Sequence, residues 1–75
     1  MNHTYKIVEI VGTSPDGITE AIQNGISRAA QTIQHLDWFE VVNMRGQIAD
    51  GAIAFYQVDM KVGFRVLDAA DLHKE

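Results

Sequence analysis

Ala49-Asp50-Gly51-Ala52 is the stretch on which the fold turns. Both central residues of a two-residue type I′ turn need positive φ, which Asp tolerates and Gly accepts freely. Asp50-Gly51 therefore predicts a tight β-hairpin in which Ala49 pairs with Ala52. Counting outward from the turn, Met44 falls opposite Gln57 and Trp38 opposite Gly63. Residues two apart on a strand share a face, and so do directly paired residues, which places all four positions on one side of the sheet. An indole opposite a glycine, with an amide on the same face, outlines an open slot for a planar ring.

The hairpin arms run from about Trp38 to Ile48 and from Ala52 to Val66. In the second arm, Ala54, Tyr56, Val58, Met60, Val62 and Phe64 form an unbroken apolar set, with Gln57, Asp59, Lys61 and Arg65 between them. That alternation predicts a half-buried strand whose even-numbered face covers a helix. The same register puts Phe39 and Val41 on the helix side and Trp38, Glu40, Val42 and Met44 on the other.

Working back towards the N-terminus, Tyr5-Lys6-Ile7-Val8-Glu9-Ile10-Val11 is β-branched and bounded by Gly12 and Thr13-Ser14-Pro15-Asp16, which predicts a strand. Ser14 then suits a helix N-cap, Pro15 the first helical position and Asp16 the first turn, where the helix dipole favours negative charge. Ile18, Ala21, Ile22, Gly25, Ile26, Ala29, Ala30 and Ile33 recur as one apolar stripe at helical period, so the helix is expected to end near Gln34-His35. Gly25 on that stripe costs about 1 kcal/mol relative to Ala, which close approach of helix and sheet would justify.

The order is thus β-α-β-β. It implies an α+β domain with a three-stranded antiparallel sheet wrapped around one helix. The whole chain, residues 1–75, reads as a single domain, with a mostly polar and frayed tail from Leu67 to Glu75. Trp38, Val42, Met44 and Phe55 make the outer sheet face too apolar for water, which predicts an assembly surface.

Composition supports assembly. A chain of 75 residues buries only about 60% of its unfolded surface and is marginal alone. It has no cysteine to staple it, yet 47% of its residues are hydrophobic. A net charge of −4 argues against non-specific binding to nucleic acid or anionic membrane. No apolar run approaches the roughly 20 residues of a membrane span, and no signal-peptide pattern opens the sequence. The expectation is a soluble, cytoplasmic, obligate oligomer.

Catalytic apparatus is not apparent. His3, His35 and His73 have no ligand spacing, so no metal site is expected. Glu40, Asp59 and the other carboxylates stand singly, Ser14, Thr13 and Ser27 lack a neighbouring histidine, and Gly12-Thr13-Ser14 lacks the glycine-lysine pattern of a phosphate loop. Trp38 admits two readings, an aromatic filling an oligomer interface or a platform for a planar ligand, and the opposing glycine does not decide between them. Gln57 carries both donor and acceptor, which suits the alternating polar edge of a heterocycle, although a solvated strand face explains it equally well.

Several segments together carry a resemblance. Tyr5-Lys6-Ile7-Val8-Glu9 with Val11-Gly12-Thr13-Ser14, Ala21-Ile22-Gln23-Asn24 and Leu36-Asp37-Trp38-Phe39-Glu40-Val41 are followed by Arg45-Gly46, Tyr56-Gln57-Val58 and Lys61-Val62-Gly63-Phe64-Arg65. In this order and at these spacings the chain resembles the dodecins, small flavin-binding proteins that assemble as hollow dodecamers. The resemblance implies that Trp38 stacks on a flavin isoalloxazine, that Gln57 hydrogen-bonds its polar edge, and that Asp37 and Arg45 flank the ligand. It also implies that Arg65 could meet the phosphate of FMN. Some members take up coenzyme A, for which Lys6 and Arg28 are the candidate bases. The implied role is flavin storage or sequestration in a homododecamer, with FMN or riboflavin as ligand and no turnover. A structural scaffold without a physiological ligand and a small flavoenzyme are the alternatives. In the plain hairpin register Arg45 pairs with Tyr56 and faces away from Trp38 and Gln57. Either a bulge near Gly46 re-aims it or it serves a neighbouring subunit, and the second is the expectation here.

Overall fold

The computed structural model describes residues 3–67. Strand β1 (Thr4–Ser14) leads into helix α1 (Ile18–Ala29), followed by the long hairpin of β2 (Leu36–Ala49) and β3 (Ala52–Val66). The sheet order is β1-β3-β2, and β3 is antiparallel to both neighbours. The expected architecture is therefore present within one chain. Asp50 and Gly51 both have positive φ, 53° and 75°, and Ala49 pairs with Ala52. The expected tail beyond Leu67 lies outside the described residues.

The helix packs mainly on β1 and β3. Ala21, Val58, Met60 and Val62 are buried, with Val8, Ile10, Ile18, Ile22, Ile26, Leu36 and Tyr56 packed around them. Each fully buried large side chain in this cluster contributes about 1.5–3 kcal/mol relative to exposure. A Cβ at Gly12 would lie 2.1 Å from the Ala21 carbonyl oxygen, and one at Gly25 would lie 3.2 Å from Gly12 Cα. Helix and strand thus meet backbone to backbone, which is the reason a glycine sits on the apolar stripe.

The helix is shorter at both ends than its periodicity suggested. Ser14 remains in β1, paired with Tyr56, and Gly17 is the N-cap. The Ser14 hydroxyl instead accepts a hydrogen bond from the Asp16 amide at 3.0 Å, a local turn that competes with helix initiation. At the other end the Gln31 amide bonds back three residues to the Arg28 carbonyl, tightening the chain out of α geometry. His35, at φ 65°, then turns the chain into β2, and its carbonyl accepts the Arg65 amide at 3.1 Å.

Three register shifts interrupt the β2–β3 ladder. Asp37 and Val42 are extra residues on β2, and Ala54 is extra on β3. Between the last two shifts every pairing differs by one from the plain hairpin, and a one-residue slip exchanges the faces. Met44 accordingly pairs with Val58 on the helix side, not with Gln57 on the outer face. The outer apolar surface is thus smaller than expected, and the inner one larger.

Candidate functional site

Trp38 follows directly on the Asp37 bulge and stands opposite Gly63. A Cβ on Gly63 would fall 2.2 Å from the indole Cε2, 2.3 Å from Cζ2 and 2.7 Å from Nε1. The ring therefore lies over the glycine backbone, and the slot expected above Gly63 is filled by the indole itself. One indole face is closed by the sheet, while the residue keeps 38% of its surface exposed. What remains is a fixed aromatic platform on the outer face.

Gln57 stands at the other end of that face, opposite Arg45 and Thr13. The bulge that brings Arg45 to the Gln57 side lies at Val42, not near Gly46. Arg45 is held there by Asp59: Nη1 donates to Oδ1 at 3.1 Å and Nη2 to Oδ2 at 2.5 Å. The hydrogen bonds to Asp59, followed by its negative charge, raise the Arg45 pKa further above its ordinary value. Gln57 and Gly63 are six residues apart on β3, which at about 3.3 Å per residue separates the amide from the indole platform by roughly 20 Å. Within one chain the two do not close around a single tricyclic ring.

Arg65 lies two residues beyond Gly63 on the same face, opposite Tyr5. Tyr5, Asp37, Arg65, His3, His35 and Leu36 line a cavity of about 400 Å³ beside Trp38. Desolvation first, then hydrogen bonding to Asp37 and the Asp37 charge, raise the Tyr5 pKa above 10.0, against an opposing effect of Arg65. The structure thus brings Asp37, Trp38 and Arg65 together at one end of the outer face and Arg45 with Gln57 at the other.

Lys6 and Arg28 are not joined in one site. Lys6 pairs with Phe64 and belongs to the opposite sheet face from Arg65. Arg28 lines two clefts of about 300 and 200 Å³ where α1 meets β1, and Lys6 lines neither. Among the described residues no group of three or more His, Asp or Glu side chains is placed to hold a metal ion, and no helix is long and apolar enough to cross a membrane.

Two participants escaped the sequence reading, Tyr5 and Asp59. Tyr5 reads as a strand residue, and its partner on β2 depends on the Asp37 bulge. Asp59 was set on the face opposite Arg45 by the plain register. The clue to the shift is the adjacent pair Val41-Val42: removing one of them lets Phe39, Val41, Met44 and Gly46 continue as a single inner series.

The sequence profile of the Dodecin family matches residues 4–67. The curated dodecin of Thermus thermophilus is 50% identical over 66 residues, 88% of this chain and 96% of that protein. The solved dodecin from Streptomyces davaonensis shares 62% identity with a TM-score of 0.88, covering 91% of this chain and 100% of its own. That from Streptomyces coelicolor shares 54% identity with a TM-score of 0.86, covering 91% and 97%.

Proposed function

The chain belongs to the dodecin family, and on that premise we propose that it is a cytoplasmic, non-enzymatic homododecamer that binds FMN or riboflavin for storage or sequestration. The observation that carries this reading is the indole of Trp38 pressed onto Gly63 with its other face presented outward. A ring already immobilised against backbone loses little freedom when a second ring stacks on it, so its stacking energy is retained as affinity. Gln57 supplies an amide donor and an acceptor to the polar edge of the isoalloxazine. Asp37 and Arg65 sit beside the platform, and Arg65 supplies a planar cation suited to the FMN phosphate.

The separation of roughly 20 Å between platform and amide has a direct consequence. The ring edge is read by Gln57 and flanked by Arg45 of a different copy from the one whose Trp38 it stacks on. The site is therefore completed by assembly, and the uncovered apolar residues of β2 supply the contact surface. With one ring face against an indole and its polar edge engaged, the flavin is covered, an arrangement suited to holding the cofactor and not to turning over a second substrate.

Titration of the apo-protein with FMN and riboflavin, followed by flavin fluorescence, tests this reading. The parent is expected to quench both. Trp38→Ala is expected to assemble normally and to lose about 1–3 kcal/mol of flavin affinity, the range for an aromatic platform under a planar base. Equal affinity in parent and variant would remove the stacking assignment.

A further inference from the structure

Asp59 has no part in the ligand reading above, yet its position bears on which flavin is favoured. It lies on the outer face of β3 between Gln57 and Lys61, opposite Val11 of β1 and Asn43 of β2. Its two carboxylate oxygens take the two terminal nitrogens of Arg45 at 3.1 and 2.5 Å. The Asp59 side chain keeps only 17% of its surface exposed and that of Arg45 41%. A bidentate, partly desolvated pair fixes its geometry more firmly than an ordinary surface ion pair.

The consequence is electrostatic. Arg45 stands opposite Gln57, and a lone guanidinium there would favour any anionic group reaching that end of the face. With Asp59 clamped to it, the pair is close to neutral. Both terminal nitrogens of Arg45 already donate to Asp59, and the carboxylate repels a phosphate dianion. Resting on the flavin reading, we propose that Asp59 is a specificity-determining residue. By neutralising Arg45 beside Gln57 it reserves this end for the uncharged ring edge and leaves the FMN phosphate to Arg65 at the Trp38 end.

The test compares FMN and riboflavin affinities in parent, Asp59→Asn, Asp59→Glu and Arg45→Gln/Asp59→Asn, at two salt concentrations. Asp59→Asn keeps side-chain volume and releases Arg45. The ratio of FMN to riboflavin affinity is expected to rise roughly threefold to tenfold at low salt and to fall back as salt is raised. Asp59→Glu should return the ratio towards the parent value, and the double variant should abolish the gain. A purely structural role would change both affinities together and leave the ratio unmoved, which would overturn the proposal. Should Asp59→Asn fail to assemble, Arg45→Gln/Asp59→Asn decides, because it removes both charges and keeps this end neutral: an unchanged ratio supports the neutralised pair, and a clear fall in FMN preference overturns it. A parent that binds neither flavin would overturn the flavin reading itself. A parent that binds both, with a ratio insensitive to Asp59, overturns this inference alone.

Discussion

β2 and β3 are arms of one hairpin, 14 and 15 residues long, yet they occupy different environments. β3 is hydrogen-bonded on both sides and lies under α1, so Val58, Met60 and Val62 are buried. β2 has a single strand neighbour and lies beyond the main reach of the helix. Apart from half-buried Leu36, all of its residues are exposed, including Phe39 at 47% and Met44 at 56%. Alternation of apolar residues along a strand therefore reports which face points inward, and burial depends on what covers that face. On β3 the cover comes from the same chain. On β2 apolar side chains stand uncovered on both faces, a cost that association with further copies would offset.

The hardest test of this contrast places a charge on the uncovered inner face. Phe39→Asp should leave the secondary structure of the chain in place, because Phe39 packs on little within it. It should prevent assembly, since a carboxylate buried without a partner costs several kcal/mol at every copy. Light scattering should report a species far below a dodecamer of 8.3 kDa chains. An intact large particle would show that β2 is not what the assembly covers.

Met60→Ala probes the opposite side of the comparison. The side chain is fully buried, and a Gly25 Cβ would already lie 3.2 Å from Gly12 Cα, so the helix, held backbone to backbone on β1, cannot settle far into the vacancy. Denaturant unfolding should show a loss of about 2–5 kcal/mol per chain. Phe39→Ala, measured in the same way on dissociated chains, should lose much less. Similar losses would erase the distinction between the strands.

The two ends of the outer face allow a finer separation. Gln57→Ala should weaken FMN and riboflavin to a similar extent, because both carry the ring edge. Arg65→Ala should weaken FMN alone, by less than the roughly 1.5–3 kcal/mol of a charge-assisted hydrogen bond, because solvent and salt screen the site. Equal losses for both flavins in Arg65→Ala would assign that arginine to structure instead of phosphate recognition.

These contrasts also mark how far the sequence could be read. The turn at Asp50-Gly51 and the β3 boundaries follow from turn chemistry and period-two patterning, both local properties, whereas the plain count reaches the Trp38–Gly63 pair because the extra Val42 on β2 offsets the extra Ala54 on β3. The helix limits did not follow, because Ser14 had two local uses and the paired strand, not the serine, selected between them. The bulges at Asp37, Val42 and Ala54 did not follow either. A bulge conserves apolar content and alters only phase, so its trace is a doubled residue such as Val41-Val42. That single change of phase moved Met44 inward and set Arg45 beside Gln57 and Asp59. The candidate site was thus proposed from residue types, and which of them meet was less legible.

The smallest expected effect concerns the tie between β1 and the start of β2. Tyr5 on β1 and Asp37, the bulge residue beside Trp38, line the same cavity, and their interaction ties the edge strand to the place where the platform begins. The folded chain holds the Tyr5 pKa above the ordinary 10.0 through desolvation and the Asp37 contact, which means that folding favours the neutral hydroxyl. For a group raised in this direction the stabilisation is fully present below the unfolded-state pKa near 10 and is lost as pH rises through the folded value. Tyr5→Phe should therefore lower stability by a constant amount from neutral pH to about pH 10, and the gap to the parent should close above it. The difference in tyrosinate absorbance between parent and variant isolates Tyr5 from Tyr56 and should titrate above 10.0. Tyr5 is 40% exposed, so the gap will be modest. A gap that stays constant through the alkaline range, or a difference spectrum titrating at or below the ordinary value, would mean that Asp37 is positioned without Tyr5.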